Sequence, residues 1–489
     1  MILLFEKRYS VGNQMSKEHS PLLQNELREK CGVFGTFSNQ ENTAETTIFG
    51  LSTLQHRGQE SSGVASSGDE KTLHMFGGVG LVSHVFDESF DSGMLPGNIS
   101  IGHNRYGTSS KKSVEHHIQP TLDEDRSFAL AHNGNIPDTT ALESFLDEHG
   151  IANPDDNDSE MMHRSISYYL KKGASLEEAV EKARPLFTGA YSLVMTDGKK
   201  LVALRDEKGI RPLSLGRKNG SYVVSSETCA FRPMDIEHMR DVFPGEMVVV
   251  DDKGMRSTAL VKGEQKLDIF ELVYFARPDS NILGKNVLQV RENMGKELAR
   301  EKKIDADIVI DVPDSGTPAA HGYARESGIP KEIGIIKNRY SAKRTFINPD
   351  GTKRKDDVRK KFIPIPEKLK GQRVILVDDS VVRGTTSREL VKMVRDSGAR
   401  EVHFAIHCPP IRFPDFYGID TPNQKDLLAS QHNSIEEMRL SLSADSLTFL
   451  SYEGMIRATG LNEDVFSTSC FTGKYPIDIG KRKSEIVWK

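Results

Sequence analysis

Two styles of hydrophobic patterning divide this chain. From Cys31 to about residue 260, short apolar runs alternate with turns, as in CGVFGTF (31–37), AYSLVMTDGKKLVALRD (190–206) and SYVVSS (221–226). Runs of this length bounded by Gly, Asp and Ser predict strands, and their number predicts an antiparallel-rich α+β domain. Glu246–Val250 followed by Asp251–Gly254 predicts one more strand and its turn. A polar break around Lys262–Lys266 marks the expected boundary, with one domain over 31–262 and a second over 268–489. Beyond residue 270 the period changes. Val290, Met294 and Leu298 recur every four residues and predict a helix over Val287–Glu301. Ile308–Ile310 predicts a strand, Val312–Gly316 a loop, and a helix follows. Val374–Val377 and a helix over Ser387–Ser397 repeat the theme, with Gly398 just past the helix end. Strands alternating with helices predict an α/β domain with a mostly parallel sheet.

The second repeat carries the clearest chemistry. In VILVDDSVVRGTTS (374–387), a buried strand ends on two adjacent carboxylates, Asp378 and Asp379. Open α/β sheets bind ligands at that end of the strand. Ser380, Arg383, Gly384, Thr385 and Thr386 then lead into a helix. Its N-terminus favours a phosphate, because its first amides lack helical partners and its dipole end is positive. Two carboxylates beside such a loop suit ribose hydroxyls or a hard cation such as Mg²⁺. The loop has no Walker A lysine, which argues against an NTPase. Between the two strand–loop–helix units runs a basic stretch, Lys337–Lys361. Its position predicts a cationic lid over a pyrophosphate rather than a merely solvated loop.

Bulk properties narrow the classes. The chain has 489 residues, too many for one ordinary core, and a formal charge of −5, which gives no footprint for nucleic acid. No apolar run reaches the length of a membrane span. Four cysteines stand apart at 31, 229, 408 and 470, which excludes a disulfide framework and implies a reducing, cytoplasmic setting. Residues 1–30 are polar, mixed and without period.

A lone Cys31 in EKCGVFG (29–35) is uninformative. Three further segments change that: LQHRGQESSG (54–63), GHNRYGT (102–108) and AHNGN (131–135). With Cys31 they resemble the class II glutamine amidotransferases, whose domain is the Ntn-hydrolase sandwich. VILVDDSVVRGTTS is similar to the signature of the type I phosphoribosyltransferases, which bind phosphoribosyl pyrophosphate (PRPP). YFARPDS (274–280), KNRY (337–340) and CFTGKYP (470–476) extend the likeness to the branch of amidotransferases that uses PRPP, over roughly residues 31–480.

The resemblance implies a set of roles. Cys31 becomes the mature N-terminus after a leader, residues 1–30, is removed; Met15 is an alternative start. Its thiol attacks the glutamine amide, with its own α-amine as base, an amine that titrates near neutrality. Asn133 and Gly134 form the oxyanion hole. Arg105 pairs with the glutamine α-carboxylate and Asp158 with its ammonium. In the second domain Asp378, Asp379 and Ser315 are expected to meet Mg²⁺, and Ser380–Thr386 the 5-phosphate. Asp314, Ser315 and Gly316 form the pyrophosphate loop, with Lys337, Arg339, Arg359 and Lys360 neutralising the leaving group and Arg277 helping to close the site. Ammonia made at Cys31 then attacks C1 of PRPP. Glutamine and PRPP are the expected substrates, purine nucleotides such as AMP and GMP the expected inhibitors, and a homotetramer the expected assembly.

Some relatives bind an iron–sulfur cluster through four cysteines. The corresponding positions here hold Asp268, Asp415, Asp464 and Ser467, so no cluster is expected. Two competing readings are a PRPP-sensing regulator with an inactive glutaminase domain and an amidotransferase acting on another acceptor. The retained Cys31, Arg105, Asn133 and Asp158 weigh against the first, and the Asp378–Asp379 loop against the second.

Overall fold

The computed structural model describes residues 31–39, 42–67, 72–106, 117–152, 157–338, 358–419, 421 and 423–488. The leader and Arg339 lie outside them.

The first half builds two antiparallel sheets. Seven strands run in the order Glu237–Asp241, Ser214–Lys218, Ser221–Ser225, Gly32–Phe37, Ile99–Arg105, Ser61–Ser67 and His74–Val79. Six more run Gly254–Ala259, Glu246–Asp251, Leu201–Arg205, Ala190–Thr196, Ala129–Asn135 and Thr121–Leu122. Val33, Ile101, Ala131, Val194 and Leu201 share the core between the sheets. The helices Thr140–Glu148, Asp158–Lys171 and Leu176–Ala183 bury Leu142, Met162 and Val180 on the outer face of the six-stranded sheet. The helix Thr43–Thr53 covers the seven-stranded one. Central strands are therefore buried on both faces, which is why CGVFGTF and AYSLVMT read as continuous rather than alternating runs.

The second half builds a four-stranded parallel sheet, in the order Ile308–Asp311, Arg373–Asp378, Glu401–Ile406 and Ser446–Phe449. Val374–Val377 are fully buried, and each such side chain contributes roughly 1.5–3 kcal/mol. The predicted helix over Val287–Glu301 is observed over that span, capped by Asn286, whose side chain accepts from Gln289 N. The helix expected over 387–397 runs Thr385–Asp396, starting directly after the loop. Helices Val287–Glu301 and Thr317–Ser327 touch backbone to backbone: a Cβ on Gly295 would lie 1.9 Å from the Ala319 carbonyl oxygen. That close packing anchors the loop 312–316. Ile335–Lys337 and Phe362–Pro364 pair as a short antiparallel ribbon at the two ends of the basic stretch.

The two halves are joined by more than the connecting chain. Lys266 N and Asp268 N donate to Lys208 O and Ile210 O, so the polar break lies flat against the first sheet system. Phe416, Tyr417, Ile477 and Ile479, from the C-terminal part, share a small core with Ala190 and Ile210. Sequence patterning gave no sign of this contact.

Candidate active site

Cys31 directly precedes the strand Gly32–Phe37, which pairs antiparallel with Ile99–Arg105, Gly32 opposite Asn104. The next position outward sets Cys31 across from Arg105. Cys31 is buried, and its carbonyl accepts from Arg57 Nε at 3.2 Å. Asn133 reaches the same strand through Ser226: its Nδ2 donates to Ser226 Oγ at 3.4 Å, and that oxygen accepts from Val33 N at 2.9 Å. Gly134 has φ +151°, and a Cβ there would stand 2.0 Å from the Ala190 carbonyl oxygen, so no other residue fits. Asp158 opens the helix Asp158–Lys171 and accepts from Ile136 N at 2.9 Å, two residues beyond Gly134. Arg105 is held by Glu60, Nη1 to Oε2, at 3.0 Å. Glu60 was not among the predicted residues, although it lies in the LQHRGQESSG segment that carries the resemblance.

A cavity of about 450 Å³ lies where the parallel strands end. Asp314, Ser315, Lys337, Asp378, Asp379, Ser380, Gly384, Thr386 and Arg277 line it. Asp378 and Asp379 are each 7% exposed; Asp379 N donates to Asp378 Oδ1 at 2.9 Å and Ser380 Oγ to Asp379 Oδ2 at 2.5 Å. Lys337 Nζ pairs with Asp314 Oδ2 at 2.8 Å. The far wall belongs to the first half of the chain: His56, Gln59 and Tyr106.

Other predicted residues sit elsewhere. Gly316 packs behind the cavity, with its missing Cβ 2.4 Å from the Val377 carbonyl oxygen. Arg359 faces Asp396 at 3.6 Å, near the far end of the helix Thr385–Asp396. Of the neighbours Lys360 and Lys361, which lie in the helical turn 358–361 just before the strand Phe362–Pro364, Lys361 lines the cavity. Arg383 and Thr385 flank the loop without lining it. Arg277 is clamped by Asp279 and donates through Nη1 to Thr53 O at 2.9 Å, so it also ties the two halves together.

Sequence reasoning missed His407. It is fully buried beneath the acidic pair; its backbone N–H donates to Asp378 O at 3.1 Å and Nε2 donates to Val273 O at 3.2 Å. Burial pushes its imidazole down to about 4, so it stays neutral. Also missed were Glu227 and Glu271, both fully buried around Arg57. Nothing in the spacing of a chain marks a carboxylate that will be buried by residues hundreds of positions away.

Among the described residues no group of three or more His, Cys, Asp or Glu side chains is arranged to hold a metal. Two carboxylates and a hydroxyl are too few for a protein cage. They fit Mg²⁺ that takes its remaining ligands from substrate oxygens and water. The positions corresponding to cluster cysteines do not fit iron and sulfide. Asp268 pairs with Arg211 at 3.2 Å, and burial together with neighbouring Asp415 pushes its carboxyl well up. Asp415 accepts from Tyr417 N at 2.8 Å, Asp464 O accepts from Lys266 Nζ at 2.7 Å, and Ser467 pairs in strand register with Asp268. Hard oxygen donors are the wrong ligands for such a cluster.

Comparison with known proteins agrees with this layout. The family model of a glutamine amidotransferase domain matches residues 103–233, and that of a phosphoribosyl transferase domain matches residues 281–413. The amidophosphoribosyltransferase of Bacillus subtilis (strain 168) is 43% identical over 93% of this chain and 95% of its own length. The chain belongs to the amidophosphoribosyltransferase family. The member from Methanothermobacter thermautotrophicus is 40% identical over 94% of this chain and 98% of its own. A solved structure of glutamine PRPP amidotransferase from B. subtilis, complexed with ADP and GMP, superposes with a TM-score of 0.84 at 40% identity, covering 92% of this chain and 98% of that one. A second family structure, described as the allosteric regulatory enzyme of purine biosynthesis, gives 0.85 at 40% identity over 92% and 97%.

Proposed function

We infer that this chain makes 5-phosphoribosylamine, glutamate and pyrophosphate from glutamine, PRPP and water, the entry step of purine synthesis. The observation that supports this reading best is the shared cavity. His56, Gln59 and Tyr106 of the glutaminase half face Asp378 and Asp379 of the phosphoribosyl half across one space. Ammonia in water near neutral pH is mostly protonated and not nucleophilic, so a common cavity keeps it reactive.

The Cys31 α-amine, once freed from the leader, takes the thiol proton, and the thiolate sulfur bonds to the glutamine Cδ. Asn133 Nδ2 and Gly134 N–H stabilise the oxyanion. Arg105 exchanges Glu60 for the glutamine α-carboxylate, and Asp158 holds the α-ammonium. The α-ammonium gives that proton to the departing nitrogen as the C–N bond breaks, and ammonia leaves. Water then hydrolyses the thioester to glutamate.

In the second half Asp378 and Asp379 hold the ribose hydroxyls, and Ser380–Thr386 hold the 5-phosphate at the helix N-terminus. Lys337 releases Asp314 to meet the pyrophosphate, together with Arg277 and the basic segment containing Arg339, Arg359 and Lys360. Asp378, Asp379 and Ser315 would hold Mg²⁺ together with substrate oxygens, and the ion would supply charge neutralisation for the leaving pyrophosphate. Ammonia bonds to C1 as the C1–O bond breaks. Purine nucleotides such as AMP and GMP are inhibitors on this reading, competing for the same phosphate loop, and the working assembly is a tetramer in the cytoplasm. The domain limits 31–262 and 268–489 follow the same division of labour.

The test combines intact mass with PRPP-dependent glutamate release. A mass beginning at Cys31 with robust release is expected. Cleaved protein that binds PRPP and releases neither glutamate nor pyrophosphate would sink the reading in favour of a PRPP sensor.

A further inference from the structure

We propose that Glu271 is a positioning residue that carries the state of the phosphoribosyl site to Cys31. This rests on the reading of function above and names the residue that links its two half-reactions.

Glu271 opens a single π-helical turn, Glu271–Phe275, closed by the bond from Ala276 N to Glu271 O at 3.0 Å. Such turns are rare and concentrate at functional sites. This one is held from both sides. On the glutaminase side, the Arg57 fork grips the Glu271 carboxylate with two bonds, Nη2 to Oε1 at 2.8 Å and Nη1 to Oε2 at 3.1 Å. Arg57 Nε holds the Cys31 carbonyl at 3.2 Å. On the phosphoribosyl side, Val273 O accepts from His407, whose backbone N–H is bound to Asp378 O. The last residue of the turn and those that follow it, Phe275–Pro278, form part of the cavity wall.

A continuous set of hydrogen bonds therefore runs from the carboxylate pair to the nucleophile through one short backbone turn. Arg57 and Glu271 are both fully buried, so no water stands in for either partner. Although burial pushes the Glu271 carboxyl up, Arg57 and Arg211 outweigh it and keep it ionised. A planar fork on a carboxylate fixes direction as well as distance. Any shift of the turn when the cavity fills must therefore move or rotate Arg57, and with it the backbone of Cys31. Glu227 backs the same guanidinium at 2.5 Å and Arg211 holds Glu271 Oε1 at 3.1 Å, so Arg57 and the turn share one buried set of ion pairs.

The experiment compares the parent chain with E271Q and E271D. Three quantities are read: glutamate release from glutamine with and without PRPP, pyrophosphate release from PRPP with ammonia, and the midpoint of thermal unfolding. Gln keeps the shape but offers only one acceptor to the Arg57 fork. E271Q is expected to lose about tenfold of the PRPP stimulation of glutamate release, within the usual range of coupling between sites. Its ammonia-dependent rate should stay within about twofold of the parent. E271D keeps the charge with a shorter arm and should lose less; it asks the same question if E271Q does not fold. Unchanged PRPP stimulation in the folded variants overturns the inference. So does a parallel fall of ammonia-dependent and glutamine-dependent rates, which would make Glu271 a residue of the fold alone. A parent chain without PRPP-stimulated glutamate release would instead overturn the proposed function, and this inference with it.

Discussion

The glutaminase site around Cys31 and the phosphoribosyl cavity are built on opposite principles. At the glutaminase end, Cys31, Asn133 and Gly134 sit in or beside central strands, and their neighbours hold them by buried hydrogen bonds. At the phosphoribosyl end the acidic pair is anchored at a strand terminus, but the cations around it are half-exposed and occupied by other partners, as Lys337 is by Asp314. The first site has its strand-borne residues fixed before substrate arrives, with Glu60 left for Arg105 to exchange. The second needs substrate to finish it. A neutral glutamine brings little electrostatic energy, so its oxyanion donors must be preorganised. PRPP brings several negative charges, which can draw cations out of weak surface pairs.

The sharpest way to break the comparison is C31A. Loss of the nucleophile is expected to lower glutamine-dependent activity by on the order of a thousandfold or more, while ammonia-dependent pyrophosphate release persists. Equal loss of both would show that the two ends are not separable. G134A comes next. A methyl group 2.0 Å from the Ala190 carbonyl oxygen forces the strand to move, and glutamine turnover should fall roughly 10²–10³-fold in kcat, again with the ammonia reaction spared. D379N works in the opposite sense: both reactions should fall about a hundredfold, and the Mg²⁺ concentration needed for half-maximal rate should rise.

Acid should probe the support beneath the second site. His407 is fully buried and lowered to about 4 from 6.5, burial being the main cause. The unfolded chain binds that proton and the folded chain does not, so stability is lost as pH falls from about 6.5 toward 4, by about 3 kcal/mol. H407N should flatten this dependence in urea unfolding measured across that range. Asp206, raised by burial to about 6, acts in the reverse sense over the same pH range, so the net slope of the parent is the sum of both. The smallest effect is expected from K337A. Its pair with Asp314 is partly exposed, and the change should raise the KM for PRPP by only a few-fold, with kcat for glutamine hydrolysis untouched.

Local pattern was enough for some of this. Four-residue spacing of Val290, Met294 and Leu298 specifies a helix whatever surrounds it, and that helix is observed over Val287–Glu301. The run Val374–Val377 followed by two carboxylates specifies a buried strand ending at a cavity, because ionised groups cannot continue into the core. The recurring short runs before residue 260 specify many strands. They do not specify that Gly32–Phe37 would lie between Ser221–Ser225 and Ile99–Arg105, since one buried strand pairs as well as another until the whole sheet is assembled.

What local pattern left open shares that cause. Lys361 lines the cavity beside Lys360, which does not, because which of two adjacent lysines turns inward depends on how their segment packs and not on charge density. Glu60 holds Arg105 only because the sheet places their backbones side by side. Composition and spacing thus sufficed for the element types, each of which is a local arrangement of a few neighbouring residues, whereas the roles of Cys31 and of the loop Ser380–Thr386 rest on the resemblance. The grip of Arg57 on Glu271 joins positions 214 apart. Whether such a pair forms, and whether it is buried enough to stay dry, is decided by the packing of one half of the molecule against the other.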